Sequence, residues 1–157
     1  MRVNLLRILA VAGAIAATFA PSQATAARCS LSGASGSWAY TYSGTIFTPA
    51  GPVPAASVGR FSQDAGGTVT GSQTRTVAGA SGVEDVSGSV SVHGDCSASA
   101  TIDVLVNGQV IRTAVLALVY DNNQKQARGI FQSLTLPNGT NVPVVITIDL
   151  ARVFPKD

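Results

Sequence analysis

The chain predicts an all-β protein: a single eight-stranded antiparallel up-and-down barrel behind a cleaved export signal, with a two-sheet β-sandwich as the alternative. Three observations carry this. After residue 28 no segment holds a helical period; short runs of Val, Ile, Thr, Ser and aromatic residues alternate with period two and are parted by Gly, Pro and Asn. The partings are short, so consecutive strands join as antiparallel hairpins. Eight strands also suffice to close a sheet on itself and leave no exposed edge.

The first segment is not part of the barrel. Arg2 and Arg7 flank the start of an uncharged run, Ile8–Ala20; Pro21 breaks it, and Ala24-Thr25-Ala26 supplies the small residues of a cleavage site. The run of about 13 residues is too short for a ~30 Å hydrocarbon core, which needs about 20. Residues 1–27 therefore read as a signal peptide, cut after Ala26 or Ala27, and residues 28–157 as the β-barrel domain. The destination is secreted or periplasmic, with no membrane span in the mature protein. Arg28 stands directly before Cys29, which argues against a lipid-anchored cysteine. Ten basic residues oppose eight acidic ones, a formal charge of +2. Arg2 and Arg7 leave with the signal, so the mature charge is zero. With no Lys/Arg run left, nucleic acid is not a partner.

The strands follow in order. The first, Ser37–Ser43, sets Trp38, Tyr40 and Tyr42 on one face. A loop carrying Pro49, Pro52 and Pro54 leads to the second, Ala56–Gln63, which ends at the turn sequence Asp64-Ala65-Gly66-Gly67. The third, Thr68–Val77, turns at Ala78–Gly82 into the fourth, Val83–His93. Gly94-Asp95 leads to the fifth, Cys96–Val106, and Asn107-Gly108 is the strongest hairpin signal in the chain. The sixth runs Gln109–Tyr120 and turns at Asp121-Asn122-Asn123. The seventh, Gln126–Leu136, passes through Pro137-Asn138-Gly139 to the last, Val142–Val153. Asn138-Gly139-Thr140 matches a glycosylation sequon but reads more simply as turn chemistry.

Two cysteines, Cys29 and Cys96, remain in a chain sent to an oxidising compartment, where a disulfide is expected. Closing a loop of that length stabilises a fold by roughly 4 kcal/mol in the chain-entropy model. A metal or cofactor site is not expected: His93 stands alone and there is no C-x-x-C.

Alternation sorts the side chains by face. On the last strand Val142, Val144, Ile146, Ile148 and Leu150 point together. On the sixth, Val110, Ala114, Leu116, Leu118 and Tyr120 share their face with Arg112. The Thr/Ser row of the third strand (Thr68, Thr70, Ser72, Thr74, Thr76) is solvent-like, which places Gln73 and Arg75 on the face of Val69 and Val77. Glu84 sits likewise with Val86, Val90 and Val92, opposite Ser87, Ser89, Ser91 and His93. If the Val faces point inward, Arg75, Glu84 and Gln73 stand beside Trp38, Tyr40 and Tyr42 at one end of the barrel. Such an apolar cavity with a few polar groups suits a small apolar or aromatic ligand, with Trp38, Tyr40, Tyr42, Gln73, Arg75, Glu84, Arg112 and Tyr120 as its contacts. That reading expects an enclosed cavity above ~300 Å³ with Arg75 or Glu84 in its wall. The competing reading is a solvated Arg75–Glu84 pair at the mouth above a plain aromatic core.

Catalytic groups are scarce. No G-x-S-x-G elbow exists, a Ser-His-Asp triad would depend on His93 in a polar turn, and Glu84 and Asp85 fall on opposite faces. No Gly-rich loop joins a strand to a helix for a phosphate. A structural or adhesive surface protein is one alternative function, and a cyclase- or isomerase-type barrel enzyme is another. An outer-membrane barrel is disfavoured because the Ser/Thr rows leave no continuous apolar belt.

Short motifs resemble calycin-type barrels. Cys29-Ser30-Leu31-Ser32-Gly33 followed by Trp38 is similar to the opening of avidins, and Gly36-Ser37-Trp38 to the lipocalin Gly-x-Trp. Val58-Gly59-Arg60-Phe61, Asp64, Gly67-Thr68-Val69, Gly71-Ser72 and Asp95-Cys96 resemble secreted bacterial barrels related in shape to allene oxide cyclase and dirigent proteins. The resemblance implies fold more than activity.

Overall fold

The computed structural model describes residues 28–153; the expected signal peptide, residues 1–27, lies outside them, as do 154–157. One helical turn, α1 (Leu31–Ala34), precedes eight strands: β1 (Gly36–Thr48), β2 (Gly51–Gln63), β3 (Thr68–Val77), β4 (Ala80–Val92), β5 (Ser97–Val106), β6 (Gln109–Asp121), β7 (Gln126–Thr135) and β8 (Val144–Arg152). They pair antiparallel in sequence order, and β8 returns to β1. The barrel is closed; the sandwich alternative is set aside.

The differences from the sequence reading are local. Helix was expected nowhere after residue 28, yet α1 forms, and a further single turn spans Asn122–Gln124. Ser30 caps α1, its Oγ accepting from the Gly33 N–H at 3.0 Å. Four residues are too few for a 3.6-residue period to register in sequence.

The Pro-rich stretch is not a loop. β1 runs on to Thr48, β2 starts at Gly51, and Pro52 and Pro54 lie opposite Phe47 and Thr45. The Phe47 N–H points away from β2, to Pro143 O at 2.9 Å. Pro52 therefore occupies a non-hydrogen-bonded pair, with its nitrogen on the β3 side. The β2–β3 ladder ends at Ala55↔Val77, so no bond is lost there. The expected five-residue turn after β3 is likewise tighter. Val77 pairs with Ala80, and Ala78 and Gly79 both take positive φ (49° and 86°), as the primed two-residue turns require. Asn107-Gly108 does the same (51° and 76°).

Closure brings strands unusually near one another at inward-facing Gly44. A Cβ there would strike Val145 O and Ile146 Cα of β8, so the β1–β8 seam needs a residue without a side chain.

One end of the barrel is sealed. Trp38, 1 % exposed, donates its indole N–H to Ala34 O of α1 at 2.9 Å, packs edge-on to Tyr120 (5.7 Å between centroids) and lies under the Arg152 guanidinium (5.2 Å). The Cys29–Cys96 disulfide ties the segment before α1 to the start of β5. Gln124 grips the same segment twice, accepting from Ser30 N (3.2 Å) and donating to Ser30 O (2.8 Å). No helix among the described residues is long and apolar enough to cross a membrane.

Candidate functional site: an interior cavity and a buried charge cluster

Inward-facing positions above the plug enclose a cavity of about 70 Å³. Aromatic rings from four strands stand in its wall: Tyr40 and Tyr42 (β1), Phe61 (β2), Tyr120 (β6) and Phe131 (β7). Aliphatic side chains fill much of the rest, and two polar groups reach it, Gln73 (β3) and Arg112 (β6). That is well below the several hundred Å³ typical of a site for a drug-sized ligand. The cavity expected from the sequence, above ~300 Å³ with Arg75 or Glu84 in its wall, is thus corrected on both counts. Large side chains fill the barrel, and neither residue borders the space.

Of the eight residues singled out in the sequence, Tyr40, Tyr42, Gln73, Arg112 and Tyr120 converge on the cavity. Trp38 shares their face but sits lower, under α1, as part of the plug. Arg75 and Glu84 lie behind the wall, toward the opposite end.

There the pair is not simply solvated. Glu84 is 6 % exposed and Arg112 7 %. Arg112 grips the carboxylate with both ends of its fork, Nη1 to Oε1 at 2.9 Å and Nη2 to Oε2. Gln73 Nε2 adds a bond to Oε2 at 2.8 Å, and Arg75 Nε approaches Oε1 at 3.2 Å with 24 % of its side chain exposed. The network extends into the cavity wall: Gln73 Oε1 accepts from the Tyr40 hydroxyl (3.0 Å) and from Ser57 Oγ (2.9 Å). Room for this comes from Gly59, where a Cβ would lie 2.6 Å from the Tyr40 hydroxyl oxygen.

These environments set the protonation states. Burial opposes charge on Glu84, but the hydrogen bonds and charge of Arg112, with Gln73 and Arg75, outweigh it and hold the carboxyl below its ordinary 4.5. Burial raises the Tyr40 phenol, reinforced by Tyr42 and Glu84. It raises Tyr42 against the pull of Arg112, and pushes Tyr120 up to about 12. A depressed carboxyl contributes stability that is present above its unfolded value and lost as pH falls through the folded one. Phenols held neutral contribute stability below pH 10 that is lost as pH rises through their folded values. Melting temperature is therefore expected to fall below about pH 4.5 and again above about pH 10. Phenolate absorbance should appear together with unfolding. Ionisation of all three tyrosines near pH 10 in a still-folded barrel would contradict this placement.

Sequence reasoning missed Ser57, Phe61 and Phe131. Phe131 stands at an irregularity: the β6–β7 register pairs Val115 with Ser133 but Leu116 with Phe131, leaving Gln132 bulged. The inward phase of β7 changes there, from Ala127 and Phe131 to Leu134. The β7–β8 ladder also stops at Ile130↔Thr147; beyond it β7 meets only the segment ahead of β8, at the bridge Thr135↔Asn141 and the Val142 N–H bond to Leu134 O (2.7 Å). Phe131 thus stands beside a bulge and just past the end of the β7–β8 ladder. His93 stays exposed in the β4–β5 turn.

No protein-family model matches the chain, and no curated protein matches it in sequence. Among solved structures it is similar to EF1p2_mFAP2b bound to DFHBI, with a TM-score of 0.52 and 13 % identity over 77 % of this chain and 94 % of that one. It is also similar to the redesigned β-barrel mFAP1 bound to DFHBI, with a TM-score of 0.50 and 18 % identity over 78 % of this chain and 98 % of that one. At such identities the likeness is one of fold.

Proposed function

We propose that this barrel acts outside the cytoplasm, secreted or periplasmic, and takes a small apolar or aromatic molecule into its interior. The observation that carries the reading is the cavity wall: five aromatic rings with two inward polar groups, Gln73 and Arg112, set in an apolar lining. The wall also has a soft point. Phe131 is half-buried, lies at a bulge and lacks ladder bonds to β8, so its ring swings aside at less cost than any fully buried neighbour. A ligand larger than the resting cavity takes the space that ring vacates. The two β-barrels of similar fold are both bound to DFHBI, which agrees with a ligand in the interior. Export agrees with the disulfide, which persists in oxidising compartments, and with the predicted signal at 1–27. The short calycin-like motifs point to the same kind of barrel.

Trp38 is the single tryptophan and packs on Tyr120, which lines the cavity, so its fluorescence reports occupancy. Titration with a panel of lipids, pigments and phenolic compounds should give a saturable change in the wild type. The change should be lost in Ala100→Phe, which fills the cavity from its wall. An unresponsive tryptophan across the panel, or equal saturation in Ala100→Phe, would sink the reading. The small cavity volume favours a second reading in that event, a structural or surface barrel without a ligand.

A further inference from the structure

We infer that the molecule taken up is a monoanion, a carboxylate on an apolar or aromatic body, whose charged end is received by Arg112 at the cavity wall, with Arg75 behind it supplying the surplus positive charge. This rests on the ligand reading above and adds to it the class of ligand.

The argument is one of charge balance. Around the cavity and the cluster behind it, the inward-facing charged groups among the described residues are Arg75, Arg112 and Glu84. The nearby phenols of Tyr40 and Tyr42 are neutral at physiological pH. Asp85 and Asp103, on β4 and β5, fall on the outer face; Asp103 accepts from Thr113 Oγ1 at 2.6 Å. Two guanidiniums thus face one carboxylate, and this cluster carries an excess of one positive charge; Arg152, the other inward-phase guanidinium, lies apart over Trp38 at the sealed end. If the cluster only held the fold together, Arg112 alone would neutralise Glu84 through its bidentate grip, and Arg75 would be surplus.

Donors remain for an anion beside the cavity. Arg112 has five N–H groups and directs two at Glu84, while its side chain also borders the cavity. Arg75 meets Glu84 through Nε, which leaves its terminal nitrogens free of that carboxylate, and it is partly exposed. The excess charge therefore reaches from solvent to the cavity wall. A neutral ligand leaves it uncompensated; a carboxylate meets the geometry that guanidinium forks recognise.

The test compares benzoate with its neutral counterpart benzamide on the full-length oxidised protein, by calorimetry and Trp38 fluorescence. Benzoate should bind roughly ten- to a hundredfold tighter, the range of a charge-assisted hydrogen bond. Arg75→Gln keeps the Arg112–Glu84 pair and should bring the acid-to-amide ratio toward one. Glu84→Gln doubles the excess charge and should widen the ratio by about tenfold, read on melts that confirm folding; if that variant does not fold, Arg75→Gln decides alone. Equal binding of benzoate and benzamide, or a ratio untouched by Arg75→Gln, overturns the anion inference and leaves the ligand reading standing. Failure of both probes to bind overturns this inference, and the panel titration of the wild type then decides the ligand reading separately.

Discussion

Glu84→Ala is expected to destabilise the barrel by about 3–5 kcal/mol, the cost of breaking a buried ion pair from one side. The size follows from what remains. Arg112 is 7 % exposed and both ends of its fork point at the missing carboxylate, so a guanidinium stays buried without its counterion. Gln73 loses the acceptor that orients its amide, and the Tyr40 and Ser57 hydroxyls lose a fixed partner in turn. Against a typical total stability of roughly 5–15 kcal/mol this is a large fraction. Two companion variants separate the cause from simple loss of packing. Glu84→Leu with Arg112→Met replaces the pair by apolar groups of similar volume and should recover most of the loss. Arg75→Ala should cost no more than about 1 kcal/mol, because Arg75 is partly exposed and Glu84 keeps Arg112. Urea denaturation measures all three. A Glu84→Ala variant within about 1 kcal/mol of wild type would mean that water reaches this cluster freely and that no uncompensated charge is buried.

The ease of reading this barrel from sequence, and the places where reading failed, have one physical origin. Alternation with period two reports the inside and outside of a strand, and here it did so for Tyr40, Gln73, Glu84, Arg112 and Ile148. It cannot report height along the barrel axis. Trp38, Tyr40 and Tyr42 share a face, yet closure sets Trp38 under α1 and Tyr42 beside Phe131, 5.2 Å between centroids. Nor can it report neighbours across strands. Arg112 and Glu84 meet because β5 pairs Val104 with both Arg112 and Val86, one pleat from Glu84, a relation fixed by two registers at once. A bulge removes even the inside–outside information, which is why Phe131 went unassigned. The prolines misled for the opposite reason: Pro52 and Pro54 remove N–H donors on the β3 side only, beyond the end of the β2–β3 ladder at Ala55↔Val77, while Pro54 O still accepts from Ala78 N–H at 3.1 Å.

Removing the disulfide by Cys29→Ala with Cys96→Ala is expected to lower stability by about 4 kcal/mol in the chain-entropy model, for cysteines 67 residues apart. The loss should appear first as a local opening. Without the bridge, the segment ahead of β1 is held by Gln124 on both polar groups of Ser30, by the Trp38 indole on Ala34 O and by Arg152 Nη2 on Gly33 O. These are four separate hydrogen bonds, only that of Trp38 fully buried, each worth about 1 kcal/mol. Together they replace a covalent constraint with contacts that break one at a time. α1 then lifts before the ladders part, exposing Trp38 and the sealed end of the barrel. Hydrogen exchange should show lost protection at Ala34, whose N–H is held by Ser30 O, while the end of the β3–β4 ladder away from α1, around Gln73↔Glu84, keeps its protection. Trp38 emission should shift to the red under conditions where circular dichroism still reports an intact sheet. Uniform loss of protection across α1 and all eight strands would instead make the bridge a constraint on the unfolded chain alone, with no local part in closing the barrel.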